Sequence, residues 1–241
     1  MQMLQVFYIV SLVIGGIITT LGLVILIINF WFMRLANAKY SDEKRWKAVS
    51  WVVSWAVPFL IRATVEIEGV EKLDLHENAV VYANHRSLFD IAAFLKGVKR
   101  PHGYIAKAEI GKVFLLKRGM PLIKCEFLER SDDRNAAKVI LNAIKTVKSG
   151  HMMVIFPEGT RCIGLPIGMF KAGSFKVAQK AQAAIVPTTF YNTEIVPTQW
   201  PRKIVFKVKV HDPIPYEDYA HMQTPEIALM VETIVKADLK D

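Results

Sequence analysis

The segment Asn78-Ala79-Val80-Val81-Tyr82-Ala83-Asn84-His85-Arg86-Ser87-Leu88-Phe89-Asp90 decides how this chain is read. A strand-like run ends at Ala83 and delivers a histidine. A carboxylate follows five residues later, and Ile91 to Leu95 continue as a helix. Each helical residue turns the chain by about 100°, so a histidine and an aspartate five apart inside one helix would face different ways. Ser87-x-x-Asp90 has the spacing of a capping box, with Ser87 at the N-cap and Asp90 in the first turn. His85 then falls just before the helix, where the chain can turn it back toward Asp90. A histidine so placed can take a proton from a hydroxyl through one ring nitrogen while a carboxylate holds the other. The same spacing also suits a helix cap beside a loop histidine, and alone it does not separate the two.

Outward from this segment, strand and helix patterns alternate. Residues 64–68 form an alternating strand ended by Gly69, and a short strand is expected around 104–106. A helical stretch over 108–117 is closed by Gly119, and 122–128 is strand-like. Asp132 or Asp133 caps a helix to Lys148, with Val139, Ile140, Ala143, Ile144 and Val147 on one face. A buried strand over 152–156, a helix over 174–183 and strands over 184–190 and 203–210 follow. Thr224-Pro225-Glu226 opens the last helix with Thr224 as N-cap. The pattern predicts an α/β fold, a mixed central sheet covered by helices.

The 241 residues carry 31 Lys+Arg against 22 Asp+Glu, a net charge of +9 that calls for an anionic partner: nucleic acid, anionic lipid headgroups or a phosphorylated substrate. The two cysteines, Cys125 and Cys162, are too few for a disulfide framework and lack metal-ligand spacing, so a reducing compartment is expected. His76, His102, His151, His211 and His221 have no motif around them and read mostly as surface or loop residues.

Residues 3–33 contain no Asp, Glu, Lys or Arg. As one helix such a run is about 46 Å long, more than the roughly 30 Å hydrocarbon core of a bilayer. It can span with tilt, break near Gly15-Gly16, or lie within one leaflet. Ala36-Asn37-Ala38 resembles a signal cleavage site, but the apolar run is too long and no basic region precedes it. Arg34, Lys39, Lys44, Arg45 and Lys47 follow, which places the C-terminal side in the cytoplasm if the segment spans. Ser41 opens a second helix to about Arg62, with Trp46, Trp51, Trp55 and Phe59 along it and a kink at Pro58. Those rings suit a membrane interface or packing on the globular part. The division is therefore a hydrophobic two-helix membrane-binding segment over 1–63 and an α/β domain over 64–241, its remaining length sufficient for one substantial core.

Two more clusters carry chemistry. Phe156-Pro157-Glu158-Gly159-Thr160-Arg161 ends a buried strand, and its proline and glycine force a tight turn that puts Glu158, Thr160 and Arg161 at the sheet edge. Arg161 offers a planar fork suited to phosphate. Lys107-Ala108-Glu109 again follows a strand, with Arg130 further on. Lys107 would be a second phosphate cation, whereas Arg130 is also satisfied by Asp132 or Asp133.

With these blocks in order, the chain resembles the glycerolipid acyltransferases of the lysophosphatidic acid acyltransferase family from about Val65 to Ile214. Asn84-His85-Arg86-Ser87-Leu88-Phe89-Asp90 matches the first family block, Asn-His-x4-Asp. Ala106-Lys107-Ala108-Glu109 through Phe127-Leu128-Glu129-Arg130 matches the second, Phe156 to Arg161 the third, and Ile185-Val186-Pro187 the fourth. The resemblance implies transfer of an acyl chain from a thioester, acyl-CoA or acyl carrier protein, to the sn-2 hydroxyl of lysophosphatidic acid, giving phosphatidic acid. It implies His85 as general base, Asp90 as its orienting partner, and Lys107, Arg130, Glu158, Gly159, Thr160 and Arg161 as the acceptor site. No cofactor beyond the thioester co-substrate is expected, and no nucleic acid. With the basic residues that follow the apolar run, the expected location of the catalytic domain is the cytoplasmic face of the cell membrane.

The second block departs from the family: Phe114-Leu115-Leu116-Lys117 stands where Pro-x-x-Gly is usual. The loop 162–170 after Arg161 is uncharged, which suggests bilayer insertion or a wall of the acyl path. Glycerol-3-phosphate or another lysolipid remains an alternative acceptor. A membrane-anchored lipid-binding protein without catalysis would need no base.

Overall fold

The computed structural model describes residues 2–37, 39–129, 131–163 and 167–239. Its strands are β1 (Ala63–Glu68), β2 (Ala79–Ala83), β3 (His102–Lys107), β4 (Glu126–Leu128), β5 (Met152–Ile155), β6 (Ala184–Tyr191) and β7 (Ile204–Val210). Its helices are α1 (Gln2–Leu35), α2 (Asp42–Ala56), α3 (Phe89–Gly97), α4 (Phe114–Leu122), α5 (Asp133–Lys148), α6 (Lys176–Ala181), α7 (Val196–Gln199), α8 (Tyr216–Tyr219) and α9 (Thr224–Asp238). The strands form one sheet in the order β1-β7-β6-β2-β5-β3-β4. From β6 through β4 every pairing is parallel. β7 runs antiparallel to β6, and β1 parallel to β7.

The unbroken apolar runs of β2 and β5 are explained by burial on both faces, as in any covered parallel sheet. Val81, Ala83, Val154 and Val186 point to a core shared with α2, α3, α4 and the end of α1. Val80, Tyr82, Met153, Ile155 and Ile185 point to a second core under α5, α6 and α9. Nearer the β1 edge, β7 alternates between buried and exposed residues, because one face there is open to solvent.

The two layers fix where a site can form. After β2 the chain enters α3 on the first face; after the neighbouring β5 it enters α6 on the second. The connections diverge between these two strands, and the carboxyl ends of strands at such a switch point are where open α/β sheets bind ligands. β3 and β4 end at the same edge, since all four strands are parallel.

α1 is one continuous helix through Gly15-Gly16, long and apolar enough to cross a membrane. Its apolar side chains from Met3 to Leu26 are almost all exposed, whereas Phe32 and Leu35 are buried in the first core. The Phe32 ring occupies the place of a Cβ on Gly119, 2.8 Å from it. Contrary to expectation, Gly119 therefore does not close a helix; it lies inside α4 and admits the ring. α4 instead ends through Ile123 and a left-handed Lys124 (φ 58), with the Cys125 amide donating to the Met120 carbonyl at 3.1 Å. That turn confines the expected 122–128 strand to three residues.

α2 divides the two uses weighed for it by face. Trp46, Ala48, Val49 and Ser50 are buried against the domain, and the Ser50 hydroxyl donates to the Leu95 carbonyl at 2.9 Å. Trp51, Trp55 and Phe59 are exposed and run as a ladder of ring contacts that begins at Trp31. Near Pro58 the helix widens into a π turn over Val57–Ile61, which ends at a left-handed Arg62. At α9 the N-cap is Gln223, one residue earlier than expected. Its side chain and that of Glu226 form a reciprocal capping box.

His102 is not a surface histidine. It is buried between Trp46, Phe94 and Tyr104, with Nε2 2.9 Å from the Tyr104 hydroxyl and Nδ1 2.7 Å from the Arg100 carbonyl. Burial pushes its imidazole down to about 4. Its folded pKa thus lies below the unfolded value near 6.5, so the unfolded chain binds the proton more readily. The stability contributed by neutral His102 is complete above about pH 6.5 and is lost as pH falls toward 4. Between pH 7 and 4, the native chain should lose roughly 3 kcal/mol more stability than His102→Gln, measured by urea unfolding in detergent.

Candidate active site

Two residues past β2, His85 turns back so that Nδ1 lies 2.6 Å from Asp90 Oδ2. Asp90 is fully buried in the first turn of α3. Its Oδ2 also accepts the backbone amides of Arg86 (2.8 Å) and Ser87 (2.9 Å), and its Oδ1 accepts the Thr193 hydroxyl. The expected capping box is half made: Asp90 reaches back to the Ser87 amide, while the Ser87 hydroxyl accepts from the Phe89 amide at 3.3 Å. With Nδ1 on Asp90, Nε2 is the ring nitrogen left for a substrate. The ring stacks on Phe156 at 4.2 Å and is mostly buried, its side chain 15% exposed.

Neighbouring strands hold the rest of His85 in place. Asn84, fully buried, donates its amide to the Phe190 carbonyl (3.1 Å) and accepts the Phe190 amide (2.8 Å), which ties the end of β2 to β6. Glu158 is also buried. Its Oε1 accepts the His85 amide and its Oε2 the Gly168 amide, each at 2.7 Å. The Cys162 amide donates to the His85 carbonyl at 2.8 Å. The turn that brings Glu158 here closes with the Gly159 amide on the Phe156 carbonyl (3.0 Å), and Gly159 has φ 70, a conformation open to glycine. Beside this carboxylate the Cys162 thiol is held above its ordinary pKa, in its protonated form, consistent with a small loop residue.

The expected cations come to the same edge. Lys107 ends β3 with an exposed ammonium 2.6 Å from Glu109, whose carboxyl it lowers. Thr160 and Arg161 are exposed just beyond the turn, and Arg161 has no ion pair among the described residues. Arg130 lies outside the described residues. The expected exposed loop after Arg161 is only partly so: Ile163 and Met169 are exposed, Leu165 lies outside the described residues, but Ile167 is buried in the second core beside Phe170. The clasp between Glu158 and the Gly168 amide draws that side of the loop inward.

Thr193, Arg86 and Glu194 were not legible. Thr193 lies 103 residues beyond Asp90, past the fourth block, and no local pattern marks it. The Arg86–Glu194 contact, Nη1 to Oε1 at 3.0 Å, likewise joins distant segments.

The family model named Acyltransferase matches residues 64–191, from β1 to the end of β6. The chain belongs to this family. Relatives of this family member include a chloroplastic 1-acyl-sn-glycerol-3-phosphate acyltransferase of Arabidopsis thaliana, 31% identical over 77% of this chain and 52% of the relative. A probable 1-acyl-sn-glycerol-3-phosphate acyltransferase of Mycoplasma pneumoniae is 35% identical over 62% of this chain and 57% of the relative. The chain spans about half the length of the curated relatives it matches. The crystal structure of the 1-acyl-sn-glycerophosphate acyltransferase of Thermotoga maritima shares the fold, with a TM-score of 0.67 over 91% of this chain and 96% of that one, at 23% identity.

The clasp made by Glu158 is directly testable. Glu158→Gln turns one buried acceptor into a donor that faces a backbone N–H. It should cost about 1–3 kcal/mol of stability, read from the denaturant midpoint.

Proposed function

We propose that this acyltransferase moves a fatty acyl chain from a thioester, acyl-CoA or acyl carrier protein, to the sn-2 hydroxyl of lysophosphatidic acid. The observation that carries the reading is the 2.6 Å contact between His85 and a buried Asp90, set at the carboxyl end of β2 beside β5. His85 Nε2 takes the hydroxyl proton as the hydroxyl oxygen attacks the thioester carbonyl. The tetrahedral intermediate then collapses and the carbon–sulfur bond breaks. The leaving thiolate receives the proton from the imidazolium, so base and acid are one residue and no acyl-enzyme forms. Asp90 remains a carboxylate throughout and stabilises the imidazolium.

Lys107 and Arg161, from the ends of β3 and β5, supply positive charge for the acceptor phosphate, with Arg130 and Thr160 as further ligands. Glu158 and Gly159 shape that site from behind: the carboxylate is committed to two backbone amides, and the glycine permits the turn. Residues 1–63 place the 64–241 catalytic domain on a bilayer. α1 enters the membrane, and the exposed rings of Trp51, Trp55 and Phe59 sit at headgroup level. The cations that follow α1 favour the cytoplasmic face of the cell membrane.

Phosphatidic acid formation from acyl-CoA and lysophosphatidic acid, assayed in detergent or liposomes, tests the reading. His85→Ala should abolish it, with a loss of at least about 10³-fold in kcat. Arg161→Ala should raise KM for lysophosphatidic acid about 10- to 100-fold while leaving KM for the thioester near its original value. A native chain that acylates glycerol-3-phosphate in preference would move the acceptor to that alternative. A fully active His85→Ala variant would remove the mechanism.

A further inference from the structure

The loop that follows β6 grips the His85–Asp90 pair from the side opposite Glu158. Thr193 is fully buried and donates its hydroxyl to Asp90 Oδ1. The next residue, Glu194, pairs with Arg86, whose own amide donates to Asp90 Oδ2. Three residues before Thr193, Phe190 is bonded through both backbone groups to the Asn84 side chain. The end of β6 and the loop after it are thus anchored to Asn84, Arg86 and Asp90, the residues that flank the base in sequence and in space. Asn192, at φ 61, turns the chain so that Thr193 can point inward.

Asp90 Oδ2 carries the His85 contact and two amide bonds. Oδ1, on the same rigid carboxylate, has only Thr193 among the described residues. Rotation about the Cβ–Cγ bond would carry Oδ2 away from Nδ1, and a donor on Oδ1 opposes that rotation. We infer that Thr193 is a positioning residue for acyl transfer: its hydroxyl locks the Asp90 carboxylate in the orientation that aims His85 at the acceptor hydroxyl, and the Arg86–Glu194 pair holds the loop that supplies it.

This inference rests on the general-base reading of His85. Thr193→Val removes the donor at nearly constant shape. It should lower kcat about 10- to 100-fold with KM for both substrates within about 3-fold, since a charge-assisted hydrogen bond is lost and the base is misaimed. Thr193→Ser, which restores the hydroxyl, should recover kcat to within about 3-fold. In an Asp90→Asn background, adding Thr193→Val should lower kcat by less than about 2-fold, because residues acting through one another are not additive. Unchanged kcat in a folded Thr193→Val enzyme, with His85→Ala inactive, overturns the inference and leaves the mechanism standing. So does a full additive loss in the Asp90→Asn background, which marks a purely structural residue. An active His85→Ala overturns both. Should Thr193→Val not fold, Glu194→Gln reads the same loop: kcat is expected about 3- to 10-fold lower at unchanged KM, and unchanged kcat overturns the inference.

Discussion

A carboxylate taken wholly out of water is tolerated only when its lone pairs are occupied, and the organisation of this protein follows from meeting that demand at Asp90. Two of its donors are the amides of Arg86 and Ser87, supplied by the turn that starts α3. Another is the His85 ring, and the last is a hydroxyl from beyond β6. The helix start, the loop before it and a segment about a hundred residues later must therefore all be correctly placed before the charge is satisfied. Glu158 repeats the arrangement on the neighbouring strand, where one buried carboxylate spans two loops through backbone amides. His85 is not a side chain added to a scaffold; it is clamped between two buried carboxylates that are themselves part of the scaffold.

The N-terminal helices are bound to the same structure. Phe32, Leu35, Trp46 and Val49 belong to the core that lines one face of the sheet. The membrane-directed surface, from α1 through the Trp51–Trp55–Phe59 ladder, is thus rigidly related to the site. The Trp200 indole extends it by donating to the Leu60 carbonyl at 3.1 Å. The position of the site relative to α1 is thereby set by packing and not by a tether.

Much of this was legible in the sequence, and for physical reasons. The apolar runs of β2 and β5 follow from burial on both faces, and the caps at Ser41 and Asp132 are local chemistry, confirmed by their bonds to the Lys44, Arg134 and Asn135 amides. The approach of His85 to Asp90 was one of two readings open locally, because the two residues are only five apart across the start of α3. Failures occurred where distant packing overrode local signals. Gly119 has the local signature of a helix end, but an aromatic ring from α1 needs the space. His102 has no motif because α2 and α3 pack over its strand to make its environment. Thr193 looks like any threonine after a strand, and its importance exists only in the assembled sheet.

The strand order has a consequence for how the chain is made. β5 lies between β2 and β3, yet it is synthesised after both, and after β4. Until residue 155 has emerged, the strand that carries His85 and the strand that carries Lys107 lack the strand that joins them, and each exposes an apolar edge. α1, by contrast, precedes every strand of the sheet and is able to reach a bilayer during that interval. The nascent chain would be held at the membrane while its central strand is still missing, and the tether would limit the number of other chains with which the open edges could pair.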